Sequence, residues 1–249
     1  MKLAVLIATY NRKNGSTSNF LNRSLTNLSN QTYKNFKVVI VGDDYENEKE
    51  LYSIVNQYKD KLDIHVFNNK YSCRKNVFKL KGNLWSNGGI YAIYEGMKYI
   101  FDQEFDYYFQ LDDDDIWTRK HIENYVWVFN KFPEASFIYS KAKYKNTILP
   151  KNVPHNIEIK LNNFQQGVKG GNVVHSSFAF KISACKKILL QLYQDRITQI
   201  DAIKTNKIKE YMLPPHDAIQ LRYMHSLNSS ILIPQCTVQK ESDLNIPMI

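Results

Sequence analysis

Four aspartates in a row, Asp112 to Asp115, follow the aromatic run Tyr107-Tyr108-Phe109-Gln110-Leu111. Carboxylates packed this tightly at a strand end repel one another and need a compensating charge, which a bound divalent cation supplies. Oxygen-only ligation suits Mg2+ or Mn2+, which take one or two carboxylates plus phosphate oxygens and waters. The alternate residues Asp112 and Asp114 can turn one carboxylate to the metal and another to a ribose or an outer water. The simpler alternative is a solvated acidic turn that caps a helix from Ile116 to Phe129. The aromatic strand before the run and Ile116-Trp117 after it favour the metal. Two further polar clusters, Thr9 to Arg12 and Asp43-Asp44, also follow short apolar runs, Leu3 to Ala8 and Phe36 to Val41.

The elements that must position these clusters can be read from periodicity. Lys2 to Ala8, Phe36 to Val41, Asp63 to Phe67 and Asp106 to Leu111 read as strands. Between them, Phe20, Leu21, Ser24, Leu25 and Leu28 recur at helical spacing, as do Leu51, Ile54, Val55 and Tyr58 within Glu46 to Lys59. Asn87-Gly88-Gly89 opens a third helix, through Phe101, after an irregular basic loop from Tyr71 to Asn83. Strand alternating with helix predicts a mostly parallel sheet with helices on both faces. Right-handed crossovers then bring the strand C-termini to one edge, where ligands bind in such sheets. The three polar clusters should therefore meet.

The second half is less regular. Strands are expected at Ser136 to Ser140, Val173 to Phe180 and Ile231 to Pro234. A long loop is expected at Tyr144 to Gln166, a mainly helical stretch at Ser183 to Tyr211, and a short helix from His216 after Pro214-Pro215. Lys169 to Asn172 reads as a plain turn. With no internal repeat and no linker, residues 1–249 read as one domain, 1–117 forming one half and 118–249 the other.

Composition narrows the class. Hydrophobic residues make up 43%, enough for a sizeable core, and no 18-residue apolar run suggests a membrane span. Leu3 to Ala8 is too short for a signal peptide. Cys73, Cys185 and Cys236 are odd in number and far apart, which argues against a disulfide framework or a zinc site and for a reducing, cytoplasmic setting. Lys- and Asn-rich usage suggests an AT-rich genome, bacterial or viral. The +9 net charge is scattered, so it reads as a solvated surface rather than a nucleic-acid site. Weak peripheral attraction to anionic membranes or phosphorylated substrates is the alternative.

Ala4 to Arg12 resembles the opening strand and loop of family 2 glycosyltransferases with the GT-A fold. Gln31 to Phe36 followed by Val38 to Asp44 is similar to that family's helix end and second strand, and Leu111 to Trp117 to its DxD motif. All three match in order and spacing over about residues 1 to 140. The resemblance implies a Rossmann-like α/β GT-A sheet with a less regular acceptor side. It implies an inverting, Mn2+- or Mg2+-dependent transfer from a nucleotide-diphosphate donor, a UDP-sugar, to a hydroxyl of a glycan or glycoconjugate.

Roles follow position by position. Thr9, Tyr10, Asn11 and Arg12 would line the nucleotide pocket, with Asn87, Gly88 and Asp113 beside it. Asp43 or Asp44 would accept a uracil N–H. Asp112 and Asp114 would contact ribose and metal. Asp115, Trp117, His175 and His216 would serve the acceptor side or support the site from behind. Trp117 could equally be core, and His175, as a lone histidine, structural. Asp217 is the candidate general base, with helix capping as its alternative. Two departures stand out. Ile93-Tyr94 occupies positions where many relatives carry Arg-Asn, although Gly88 and Gly96 fit, and the family's C-terminal histidine is missing from Gln235 to Asn245. A nucleotidyltransferase and a non-catalytic sugar-nucleotide or glycan-binding module are the competing readings. Thr9 to Arg12 lacks the glycine-rich phosphate loop that the first would need.

Overall fold

The computed structural model describes residues 1–74, 78–151, 159, 173–216, 218–220, 223 and 229–240. The first half runs β1 (Leu3–Thr9), α1 (Thr17–Ser29), β2 (Phe36–Asp43), α2 (Glu48–Asn56), β3 (Asp63–Asn69), α3 (Lys81–Asn87), α4 (Ile90–Asp102) and β4 (Tyr107–Asp112). The second half continues with β5 (Asp115–Trp117), α5 (His121–Lys131), β6 (Phe137–Tyr144), β7 (Thr147–Leu149), a 3-10 turn (His175–Ser177), β8 (Phe178–Lys181), α6 (Ile182–Lys204) and β9 (Ser230–Lys240). Among the described residues these strands form one sheet in the order β3-β2-β1-β4-β8-β6-β9-β5, with β7 beside β6.

β3, β2, β1 and β4 run parallel, as the alternation of strand and helix predicts. β8 enters antiparallel to β4 and β6, while β9 runs parallel to β6. The short apolar runs are continuous because both sheet faces are covered. Leu3, Val5 and Ile7 pack with α1, α2 and α5 residues such as Leu25, Ile54 and Tyr125. Ala4 and Leu6 face the other way, against α4 and α6 residues such as Met97 and Leu189. Alternation along β1 thus divides one run between two cores. Among the described residues no helix is long and apolar enough to cross a membrane.

Several boundaries differ from expectation. The acidic run does not lead straight into a helix: Asp115–Trp117 is a strand paired with the end of β9, and α5 starts only at His121. Asn87-Gly88-Gly89 closes α3 and opens α4, the helix expected through Phe101, while α3 begins at Lys81, inside the stretch expected to be loop. Val173 to Phe180 is a strand only from Phe178, its middle being a 3-10 turn. The last strand does not stop at Pro234. Its register against β6 jumps from Ser140–Ile233 to Lys141–Cys236, which leaves Pro234 and Gln235 in a bulge, and pairing then resumes to Lys240. A proline that cannot donate to the ladder is tolerated in a bulge. Of the long loop, Thr147–Leu149 forms β7. Most of the rest, with Lys169 to Asn172, lies outside the described residues, as does most of the short helix after His216.

Gly96 sets how closely α4 approaches the sheet. A Cβ there would lie 2.3 Å from Leu6 Cδ1 and 3.1 Å from Val41 Cγ2, both in the buried core. Gly96→Ala should therefore destabilise the fold by about 1–3 kcal/mol despite alanine's better helix propensity. Urea unfolding would read this as a lower midpoint at unchanged slope, and an unchanged or higher midpoint would refute the close-approach reading.

Candidate active site

The acidic run lies where β4 leaves the sheet, directly beside the end of β1: Ala8 is registered with Asp112. Its path is fixed by one polar stripe of α1. Arg23 Nη2 donates to the Asp114 carbonyl at 2.7 Å, and Ser24 Oγ to the Asp113 carbonyl at 2.8 Å. Asn27 pairs with Trp117 in both directions, and Gln31 Nε2 donates to the Thr118 carbonyl. Ser24 and Asn27 lie one turn apart on α1 and Gln31 just past its end, beside the stripe of Leu21, Leu25 and Leu28 that fills the core.

The four carboxylates have four different environments. Asp113 is clamped inside the protein: Arg12 Nη1 and Nη2 donate to it at 2.8 and 2.6 Å, and Thr9 Oγ1 at 2.6 Å. This forked pair is the strong kind of ion pair, so Asp113, Arg12 and Thr9, all expected to line the nucleotide pocket, are bound to one another. Asp112 accepts from or pairs with His175 Nδ1 at 3.1 Å. Burial pushes the Asp112 carboxyl up, but His175, Lys240 and His216 outweigh it and hold it well below the usual range. Burial and neighbouring Asp113 push Asp114 up to about 6. Asp115 is fully buried and accepts from Ser176 Oγ at 2.6 Å. Burial pushes it up to about 8 against the pull of Lys240.

Ligand oxygens of Asp112, Asp114 and Asp115 lie within 4.8 Å of one another. The set is all oxygen, and Asp115 Oδ1 is buried without a hydrogen-bond partner. Both features fit Mg2+ or Mn2+. The expected pair Asp112 and Asp114 is thus joined by Asp115, which turns inward rather than toward an acceptor.

A second group lies at the ends of β1 and β2. Asp43 is buried, and Arg74 Nε donates to its Oδ2 at 2.8 Å. Its Oδ1 is buried and lacks a hydrogen-bond partner. Burial raises the Asp43 carboxyl against the opposing pull of Arg74. The Arg74 guanidinium lies 3.4 Å from the centre of the Tyr10 ring, with Arg12 at 4.5 Å, a cation–π arrangement. Asp44 turns the chain in a left-handed conformation, φ 52°. Asn11 is half-buried in the loop after β1. The Asn87 side chain is buried and accepts from Arg196 Nη1 at 2.8 Å. Gly88 backs onto Arg74, whose Nη1 would lie 2.6 Å from a Cβ there.

On the remaining side, His175 and His216 rings meet edge to face at 5.3 Å, which joins His216 to Asp112 through His175. His175 Nε2 is buried without a hydrogen-bond partner. Trp117 is a correction: it is buried, stacks on His121 at 4.1 Å and donates from Nε1 to the Ser176 carbonyl, so it offers no face to a sugar. Asp217 lies outside the described residues.

Sequence reasoning missed three residues. Ser176 holds Asp115 and also accepts from the Asp112 backbone N–H at 2.9 Å. Arg74 lay in a stretch read as basic loop. Lys240 reaches Asp112 Oδ2 at 3.6 Å and Asp115 Oδ2 at 3.8 Å. Burial lowers the Lys240 amine, but Asp115, Asp112 and Asp114 outweigh that and hold it above its ordinary value. Carrying the last strand past Pro234 through Thr237-Val238 would have flagged it.

The raised carboxyl of Asp115 has a pH signature. Between its unfolded value near 3.8 and its folded value of about 8, the folded chain keeps a proton that the unfolded chain releases. Stability must then fall as pH rises through that window, and Asp114 adds the same sign up to about 6. In EDTA the Tm should drop from about pH 5 to about pH 8, and Asp115→Asn should flatten the part above pH 6. Equal slopes in both chains would sink the assignment.

The chain matches the model of glycosyl transferase family 2 over residues 4–189. An uncharacterized glycosyltransferase of Acanthamoeba polyphaga mimivirus is 30% identical over 224 residues, 86% of this chain and 87% of the relative. Among solved structures, S. aureus TarS 1–349 aligns at TM-score 0.60 and 16% identity over 97% of this chain and 61% of that one. TarS 1–349 in complex with UDP-GlcNAc aligns at TM-score 0.61 and 14% identity, over 96% and 58%. The chain therefore spans about three fifths of the length of these structures, and the likeness is one of fold, GT-A. The family match selects glycosyl transfer over nucleotidyl transfer. A sheet-edge cluster of three carboxylates, in a chain matched by this family's model over most of its length, makes the protein a glycosyltransferase of family 2.

Proposed function

We propose that this chain is an inverting, divalent-cation-dependent glycosyltransferase that moves a sugar from a UDP-linked donor to a hydroxyl of a glycan or glycoconjugate. The observation that carries the reading is the convergence of Asp112, Asp114 and Asp115 within 4.8 Å of one another, on the sheet edge that also carries Asp43. TarS is described in complexes with UDP and UDP-GlcNAc, which supports a uridine nucleotide. Residues 1–117 would bind the donor and 118–249 the acceptor, as one domain.

Asp43 Oδ1, buried and unpartnered, is suited to accept an imide N–H of uracil. Tyr10 would stack on the base, and Arg74 would leave that ring or move along it. Asn11 and Asp44 would shape the pocket wall. Arg12 and Asp113, bound to each other, keep the loop after β1 against the acidic run. Asp112, Asp114 and Asp115 would hold Mn2+ or Mg2+. When bound, the ion supplies positive charge to the diphosphate leaving group. His175 orients Asp112, and Ser176 orients Asp115.

The acceptor hydroxyl must lose its proton as its oxygen attacks the anomeric carbon. Asp217 is the proposed general base. His216, the residue before it in sequence, packs on His175. The transition state is oxocarbenium-like, with negative charge growing on the departing diphosphate.

The test is a panel of sugar nucleotides with and without Mn2+, read by thermal shift and by release of nucleoside diphosphate. A UDP-sugar should raise Tm only with metal present. Asp43→Ala should weaken UDP binding by about 10- to 100-fold, the worth of a hydrogen bond to a charged group. Asp217→Asn should keep UDP affinity and lose at least about 100-fold in kcat. A chain that releases UDP equally well with Asp217 replaced has its base elsewhere. One that answers only to other bases is not a uridine enzyme.

A further inference from the structure

Lys240 ends β9, and its backbone is registered directly opposite Asp115 on β5. That pairing delivers its ammonium to the acidic cluster, 3.6 Å from Asp112 Oδ2 and 3.8 Å from Asp115 Oδ2. These two residues belong to the three whose ligand oxygens converge. The ammonium thus stands in the field that would draw in a divalent ion. Both contacts are looser than the forked pair that fixes Arg12 to Asp113 at 2.6 and 2.8 Å. A lysine head on a four-carbon stem can move where a forked arginine cannot.

We propose that Lys240 is an internal counter-ion that competes with the divalent cation for Asp112 and Asp115. Without metal it offsets the repulsion of the carboxylates. A cation entering the cluster must push the ammonium aside or share the same two oxygens with it. The inference rests on the proposed function in two respects: the ion is held by the three carboxylates, and a nucleotide diphosphate gives the displaced ammonium a new anionic partner. Metal and nucleotide should then strengthen each other's binding, and reciprocally.

Free Mn2+ measured by EPR, titrated with and without UDP, tests this on the wild-type chain, Lys240→Met and Lys240→Arg. Removing a like charge near the site should tighten Mn2+ binding without nucleotide by about tenfold or more in Lys240→Met. Lys240→Arg, which keeps the charge and can fork onto the carboxylates, should bind Mn2+ no more tightly than wild type does. UDP should tighten Mn2+ binding by a larger factor in the wild type than in Lys240→Met, where only the direct attraction between ion and diphosphate remains. Equal or weaker Mn2+ binding by Lys240→Met overturns the proposal. Tighter binding by Lys240→Met with no response to UDP in any chain upholds the counter-ion and overturns the uridine reading. If Lys240→Met is unfolded in EDTA, Mn2+ should refold it and raise its Tm more than that of wild type, and an equal or smaller rise overturns the idea.

Discussion

Repulsion among adjacent carboxylates is the constraint around which this molecule is arranged. Unit charges about 4 Å apart in partly buried surroundings interact by roughly 4 kcal/mol. Four such carboxylates in sequence can share a loop only where nearby groups or a retained proton offset them. Asp113 has a guanidinium, which also stands 3.8 Å from Asp114, Asp112 has an imidazole and an ammonium, and Asp115 a hydroxyl and the same ammonium. The compensating groups come from the loop after β1, the 3-10 turn before β8 and the far end of β9. The chain is ordered so that the sheet brings these distant segments to one edge.

That arrangement explains a contrast with the overall charge. The chain carries a net +9, yet its crevice gathers acids. The nearby basic groups Arg12, Arg74 and Lys240 each pair with one or two acids at that sheet edge. A charge total describes the surface as a whole, whereas the site is decided by a few pairs at short range.

The parallel half of the sheet was legible because its strands are buried on both faces and read as unbroken apolar runs, while its helices keep a period. The three polar clusters could be placed together from topology alone. Other features were hidden for physical reasons. Pro234 reads as a stop, yet a bulge absorbs it and the strand continues to Lys240. Arg74 depends on a loop conformation that no periodicity encodes. Trp117 sits next to the acids in sequence and shares a strand face with buried Asp115, but its ring packs in the core against His121. Asp113 looks like its neighbours in one dimension, and only the approach of Arg12 sets it apart.

The grip of α1 on the acidic loop is made to carbonyl oxygens, at Asp113, Asp114 and Trp117. Every residue type supplies that oxygen. The course of the loop is accordingly insensitive to the side chains it displays, and a lineage could exchange one acid for another group without having to reinvent the turn. The scaffold thereby separates inheritance of shape from inheritance of chemistry, which leaves this short segment open to drift in specificity while the surrounding sheet stays as it is.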